Sequence, residues 1–535
     1  MPREFAQDHR LPSIGDDVDR SADVAAGDVR RLGAVVRWAV ALRFPIALAV
    51  ALLALPALAE TAGLRLFLGN LFVLRTPELA AVAVLAPLAA WTAVSTARVA
   101  LAGAPARFGI APWPWAPRRP ALGTSALVAA LSTPIVITAL ARASTEPRVS
   151  AARLGAHALA VAVGCVAAAA GIALGERFGF ALAARVAAAG DRSRARRLLR
   201  RLGPGYDDRA DAALAGAHLR ALGSLVVFAA GYAVLGALFN PAAAPDGCVG
   251  RLRIVDGGLC FPALGYVLIV AALAGWVLAG AAFWFDRYGV PTTVALALAA
   301  LAMLPFSDTD HVYPTQPWPS EPAVPLGAAD VVATRLARQT GPPRLIVVAA
   351  SGGGTASALW TTTVLTRLEA ANGAAFTDAL AAVSAVSGGS VGAMLHVAPQ
   401  AGGGPRPPAT LAAIRAAAAQ PSLRGVAWGL AYPDLWRIVL APAVGRALPA
   451  TSDRGWAAER AWGDVWRRVL GRTDADATLH AWRAAVRRGD MPAPIFGAMA
   501  VETGRPLLLT PIDLPAGTER GSGDALDDGA DNDEA

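Results

Sequence analysis

Ala379-Leu-Ala-Ala-Val-Ser-Ala-Val-Ser387-Gly388-Gly389-Ser390-Val391-Gly392-Ala393-Met394-Leu395 sets small and β-branched residues before a glycine-rich bend and an apolar helical segment. The first part reads as a buried strand, and Gly388, Gly389 and Gly392 as the elbow through which the chain turns into a helix. The letters match Gly-x-Ser-x-Gly centred on Ser390. A serine nucleophile of this kind needs a tight strand-to-helix turn, with small neighbours that leave its hydroxyl reachable at the top of a sheet. Ser390 is therefore the candidate nucleophile, beside a helix start that favours negative charge.

Upstream, Arg344-Leu-Ile-Val-Val-Ala-Ala-Ser351-Gly352-Gly353-Gly354-Thr355-Ala356-Ser357 repeats the order of strand, glycines and helix. Glycines at such a turn let backbone N–H groups converge with no side chain in the way. Gly352, Gly353 and Gly354 suit either a phosphate or the oxyanion of acyl transfer. A lone Gly-x-Ser-x-Gly arises by chance in a chain with 53 glycines, and a glycine triplet alone makes ordinary turns. The two together, each between a strand and a helix of one small domain, are the more specific signal.

Other chemistries fit less well. A phosphate-binding P-loop needs lysine, and this chain has none. Ser357 stands where a dinucleotide fingerprint has its last glycine. The six histidines form no His-Glu-x-x-His and no paired metal-ligand cluster, so neither metal nor cofactor is expected. A base for Ser390 would be His396 or His480 if a histidine serves. His396 lies on the helix leaving Ser390 and is expected to point away from the hydroxyl, while His480 reads as a surface residue. A carboxylate acting directly on serine is the remaining solution.

Composition places this domain behind a membrane bundle. Of 535 residues, 55% are hydrophobic and 16% charged, with a mean hydropathy of +0.46; soluble domains carry about 25% charged residues. Charge-poor stretches long enough to cross a bilayer core recur at roughly 38–59, 79–97, 120–141, 154–175, 221–243, 262–285 and 288–307. The last is short, with Pro291 near its entry. Connections 98–119 and 176–220 hold four and ten arginines, the latter including Arg192, Arg194, Arg196, Arg197, Arg200 and Arg201. Connections 60–78, 142–153 and 246–261 hold two, three and two. The arginine bias puts the N-terminus in the cytoplasm, and an integral multi-pass protein of a bacterial inner membrane is expected. Seven spans would put the C-terminal half on the non-cytoplasmic side; six would reverse it. The arginines flank apolar runs with no nucleic-acid-binding signature, so nucleic acid is not an expected partner despite a pI of about 10.2. Cys248 and Cys260 share one outer connection, where they can pair as a disulfide.

The chain divides into a charged tail (1–31), the bundle (32–307), a proline-rich linker (308–342), an α/β domain (343–515) and an acidic tail (516–535) whose composition is that of a disordered segment. At its glycine motifs the α/β domain resembles the patatin-like phospholipases, related to cytosolic phospholipase A2. Ala350-Ser-Gly-Gly-Gly-Thr-Ala is similar to that family's oxyanion loop and Ser384-Ala-Val-Ser-Gly-Gly-Ser390-Val-Gly-Ala to its nucleophile elbow. Pro494-Ile-Phe-Gly-Ala-Met-Ala-Val-Glu502-Thr-Gly504-Arg-Pro-Leu-Leu-Leu is similar to a later hairpin. The resemblance spans about 344–512. It implies a three-layer α/β/α fold and a Ser–Asp dyad that hydrolyses membrane phospholipid or another acyl-ester lipid, with Ser390 as nucleophile and Gly352–Gly354 binding the oxyanion. The family's aspartate lies in Asp-Gly-Gly/Ala after a further strand and helix. Here Asp528-Gly529-Ala530 has those letters inside the acidic tail, with no strand before it. The expectation is of a domain missing its last part, and the alternative is a catalytically inactive membrane protein whose degenerate domain binds lipid or a protein partner.

Overall fold

The computed structural model describes residues 14–108, 120–145, 150–188, 212–245, 247–249, 259–285, 290–303, 305, 324–400, 403–420, 422–440, 452–471, 478–500 and 503–514. These form two compact units: 1–237 with 264–306, and 238–263 with 307–535. The acidic tail and Asp528 lie outside the described residues.

The first unit is helical: α1 (Ile14–Glu60), α2 (Thr76–Phe108), α3 (Pro120–Ser144), α4 (Ala151–Ala188), α5 (Ala212–Leu238), α6 (Ala263–Phe285) and the short α7 (Thr292–Met303). α5 extends to Leu238, in the second unit. Six of these helices are long and apolar enough to cross a membrane, over Val35–Glu60, Thr76–Ala102, Leu122–Ser144, Ala151–Arg177, Ala221–Leu238 and Ala263–Phe285. α7 falls below that length. A helix that is apolar all round either lies in a large protein core or spans a membrane. Here α2 is the axis: 72% of its most apolar window is buried, against 11–33% in the other five.

Small residues allow the close contacts on that axis, as is usual where water does not drive helices together. A methyl carbon at Gly164 of α4 would lie 2.6 Å from both the Ala80 carbonyl oxygen and the Ala83 methyl of α2, and one at Gly275 of α6 would lie 2.7 Å from Leu48 of α1. Trp91 and Trp276 meet with ring centroids 5.7 Å apart. Arg142 bonds Glu60 at 2.9 Å where α1 and α3 end, and Trp91 of α2 donates to Glu176 of α4 at 3.3 Å.

The second unit holds a four-stranded mixed sheet whose strands lie side by side in chain order. β3 (Ile346–Ala350), β4 (Leu380–Val386) and β5 (Ala493–Met499) are parallel, and β6 (Pro506–Leu509) returns antiparallel to β5. Parallel neighbours need a crossover. Helix α9 (Gly354–Asn372) supplies the one from β3 to β4, and the chain leaves β4 into α10 (Gly388–Val397). Leu380, Val383 and Ala385 of β4, Leu365 of α9 and Val397 of α10 form the core with Ile414 of α11 (Pro408–Ala418). Further along come α12 (Leu423–Gly429), α13 (Arg454–Leu470) and α14 (Leu479–Arg487). Asp453 caps α13 by accepting the Trp456 N–H, and Gly471 ends it in the left-handed conformation.

The proline-rich linker is shorter than expected. Its last part folds into α8 (Ala328–Ala337), and Val331 joins the core. Asp513 fixes this segment from the far end of the domain: its carboxylate accepts the Leu326 N–H at 2.7 Å and pairs with the buried Arg483 at 2.7 Å. Those bonds hold the Asp513 carboxyl below its usual pKa. Cys248 and Cys260 form a disulfide across the two-residue strands β1 (Cys248–Val249) and β2 (Leu259–Cys260).

Gly164→Val should overpack the α2–α4 contact and cost about 1–3 kcal/mol. In detergent its thermal midpoint should fall below that of Gly171→Val, at which an added methyl meets nothing within 4 Å.

Candidate functional site

Two turns lie side by side at the carboxyl ends of β3 and β4. The first leaves β3 at Ser351 and enters α9 through Gly353 (φ +149°) and Gly354 (φ +62°). A side chain is strained in these conformations, which explains the glycines. Ser357, one turn into α9, donates its hydroxyl to the Ser351 carbonyl and closes the loop.

The second turn leaves β4 at Val386 and pivots on Ser387, which sits at φ 53° and ψ −124° before α10 begins. Among the described residues, Ser387 alone of the non-glycines has positive φ. That conformation costs on the order of 1–3 kcal/mol and persists only where its surroundings impose it. The Ser387 carbonyl accepts N–H bonds from Ser390 at 2.9 Å and Val391 at 3.3 Å, which ties the bend to the first turn of α10.

The turns touch through glycine. A methyl carbon at Gly388 would sit 2.0 Å from the Gly354 carbonyl oxygen, and one at Gly389 would sit 2.6 Å from that of Ala350. One at Gly392 would sit 2.6 Å from that of Ala358. Gly352 faces the other strand's bend, where an added methyl would lie 3.3 Å from Ser387 Cβ and 3.9 Å from its Oγ. Ser387 and Gly352–Gly354 are all exposed. An accessible hydroxyl is thus set at a strained turn, beside a glycine loop and a helix start.

Ser390 is placed differently from expectation. It lies one helical turn past the bend, half-buried, and its buried hydroxyl oxygen has no hydrogen-bond partner. The sharp turn that a serine nucleophile needs falls on Ser387. The Gly-x-Ser-x-Gly match obscured this, because Ala385 stands where the pattern centred on Ser387 would have its first glycine. The available signal was the junction itself: Ser387 immediately follows the β-branched run. Gly388 and Gly389 open α10 directly after the bend, and Gly392 lies one turn further along it.

His396 is fully buried and belongs to a different network. Its Nε2 lies 3.1 Å from Glu369 Oε2 on α9. Arg406 donates to the other Glu369 oxygen from its main-chain N at 2.8 Å and from Nε at 3.0 Å, while its Nη2 bonds Oε2. Arg406 Nη1 also reaches the His396 carbonyl at 2.6 Å. An ionised carboxylate only accepts, so His396 carries its proton on Nε2. Burial pushes the His396 pKa down to about 4, against the opposing pull of Glu369. Burial also works to raise the Glu369 pKa, but the bonds from His396 and Arg406 outweigh it and hold that carboxyl at about 2. His480 is exposed near the start of α14. Among the described residues no carboxylate or imidazole hydrogen-bonds Ser387, and no group of three His, Cys, Asp or Glu side chains is placed to hold a metal.

Comparison with known proteins returns no family model, no curated protein and no solved structure that matches this chain.

Acid should weaken the domain through the buried pair. Between pH 6.5 and about 4 the unfolded His396 takes up a proton that the folded one refuses, so unfolding free energy should fall as pH drops through that window. Glu369 should extend the same trend from pH 4.5 towards 2. Glu369→Gln leaves Arg406 buried without its countercharge and should cost about 3–5 kcal/mol at pH 7, read from denaturant midpoints.

Proposed function

We propose that this protein is a membrane-bound serine acyl hydrolase of the patatin-like kind, with Ser387 as the nucleophile. The observation that carries the reading is the strained backbone of Ser387 at a strand-to-helix bend, its side chain beside Gly352. Strain of this sort concentrates at functional sites, and a nucleophile elbow requires this turn. The order of elements supports the three-layer α/β/α expectation: parallel strands joined through α9, with both glycine turns at their carboxyl ends.

In this reading Ser387 Oγ attacks an ester carbonyl carbon and gives up its proton to a base. The carbonyl oxygen becomes an anion held by main-chain N–H groups of the Gly352–Gly354 loop and the start of α10. Each preorganised donor is worth about 3 kcal/mol in such sites. Collapse of the tetrahedral species expels the alcohol, which takes a proton, and water then hydrolyses the acyl-serine. The buried Glu369–His396–Arg406 network is not that base. It positions α10, the helix on which the bend rests. Asp528, whose Asp-Gly-Ala letters resemble the family's acid, lies outside the described residues. The bundle would hold the domain against its substrate, a membrane phospholipid or another acyl-ester lipid, at high local concentration.

A second reading is favoured by one observation: no described carboxylate or imidazole hydrogen-bonds Ser387. A domain that keeps the turns but not the base would bind lipid or a protein partner without turning it over.

A fluorophosphonate probe separates the serines and the readings. The full-length protein should label covalently and hydrolyse a short-chain acyl ester. Ser387→Ala should lose both by at least 100-fold, while Ser390→Ala keeps its labelling. Labelling that survives Ser387→Ala and disappears in Ser390→Ala would overturn the assignment. A folded wild type that neither labels nor hydrolyses would establish the second reading.

A further inference from the structure

The connection between the fifth and sixth candidate spans folds onto the C-terminal domain, and we infer from this that α7 crosses the bilayer and that the domain stands on the oxidising, non-cytoplasmic side. The inference holds whether or not Ser387 is a nucleophile.

It starts from the disulfide. Residues 238–263, which carry Cys248 and Cys260, belong to the same compact unit as the α/β domain. The contact is intimate. Arg424 of α12, only 4% exposed, donates from Nη1 to Cys248 Sγ at 3.4 Å. Gly247 takes a left-handed φ of +70° against the same side chain, where an added methyl would lie 2.7 Å from Arg424 Cβ. A loop that touches a domain directly is on the same side of a membrane as that domain. Disulfides persist on the oxidising side.

The order of spans then fixes α7. The chain leaves the hairpin into α6, a candidate span of 23 residues, and arrives on the far side. The domain follows Ser307, so the chain must return between α6 and Ser307, and α7 is the element there. Its 12 helical residues rise about 18 Å, but they sit inside the 20-residue charge-free stretch 288–307, long enough to cross a core of about 30 Å. Val294, Leu298 and Leu301 of α7 are 54–63% exposed in the isolated chain, as a lipid-facing helix requires.

Two independent observations agree. Arg43, eight residues into the first candidate span, donates from Nε to Thr293 Oγ1 at 2.8 Å. The start of α7 is therefore level with the early part of span one, the cytoplasmic end by the arginine bias. The flanking arginines also have the right sense: Arg287 precedes α7, next to Asp286, and from 288 to 334 there is no arginine. Any substrate of the domain would then be met outside the cytoplasm.

The test uses the full chain carrying Cys165→Ser and one added cysteine, in spheroplasts treated with a membrane-impermeant maleimide. Asn372→Cys, exposed on α9, should label at least tenfold more than Ser193→Cys in the arginine-rich connection, and lysis should equalise them. Asn372→Cys protected until lysis would overturn the inference. The wild-type chain gives a second measurement without a topology reporter. Denatured but unreduced, it should take PEG-maleimide on one of its three cysteines and on all three after reduction. Three reactive thiols before reduction would also overturn it.

Discussion

Gly388 and Gly354 share a space that admits no further atom: a methyl carbon on Gly388 would fall 2.0 Å from the Gly354 carbonyl oxygen and 2.8 Å from its nitrogen. This approach of two main chains locks the ends of β3 and β4 together and leaves Ser387 pivoting between them. The left-handed serine, the packing of α9 on α10 and the nearness of the glycine loop to the serine all follow from it. Gly389 and Gly392 extend the seam along the same face, each under a carbonyl oxygen of the neighbouring strand or helix.

Behind the seam the domain relies on a polar anchor as well as an apolar core. Glu369 accepts bonds from His396 and Arg406 at a point where neither it nor His396 meets water. Each of the three joins a different segment: α9, α10 and the loop before α11. A buried carboxylate with one partner would be costly. With a guanidinium, a main-chain N–H and an imidazole around it, the charge is compensated and orientation is gained. The same logic operates at Arg483, whose guanidinium gathers the Pro511 and Val324 carbonyls and Asp513, and so draws the start and end of the domain together.

What could be read from the sequence was whatever periodicity and composition determine. The bundle was legible because charge is excluded from apolar helices, and six of the seven expected spans coincide with long apolar helices. Both strand–glycine–helix junctions were legible because glycine and β-branched residues mark them. The Cys248–Cys260 pairing was legible from its shared connection. The residue at the bend was less legible, because backbone φ is set by packing between two turns and only its place directly after Val386 marks it. The five-position pattern Gly-x-Ser-x-Gly points to Ser390, one helical turn past the bend. His396 was expected to point away from the hydroxyl, but its partners Glu369 and Arg406 lie 27 and 10 positions away and nothing local announces them. The end of the linker was not legible for a related reason: Val331 is buried in a core shared with Leu326 and the sheet, and Asp513, which ties Leu326 down, is remote in sequence.

β6 carries a consequence of another kind. Leu507, Leu508 and Leu509 are each 37–48% exposed, and β6 pairs only with β5 among the described residues. Its outer row of peptide groups therefore offers a template on which a further strand can be laid, from this chain or another. Expressed without the helical unit, the domain would present that adhesive margin to every other copy in solution, and self-association would compete with any catalysis measured on it.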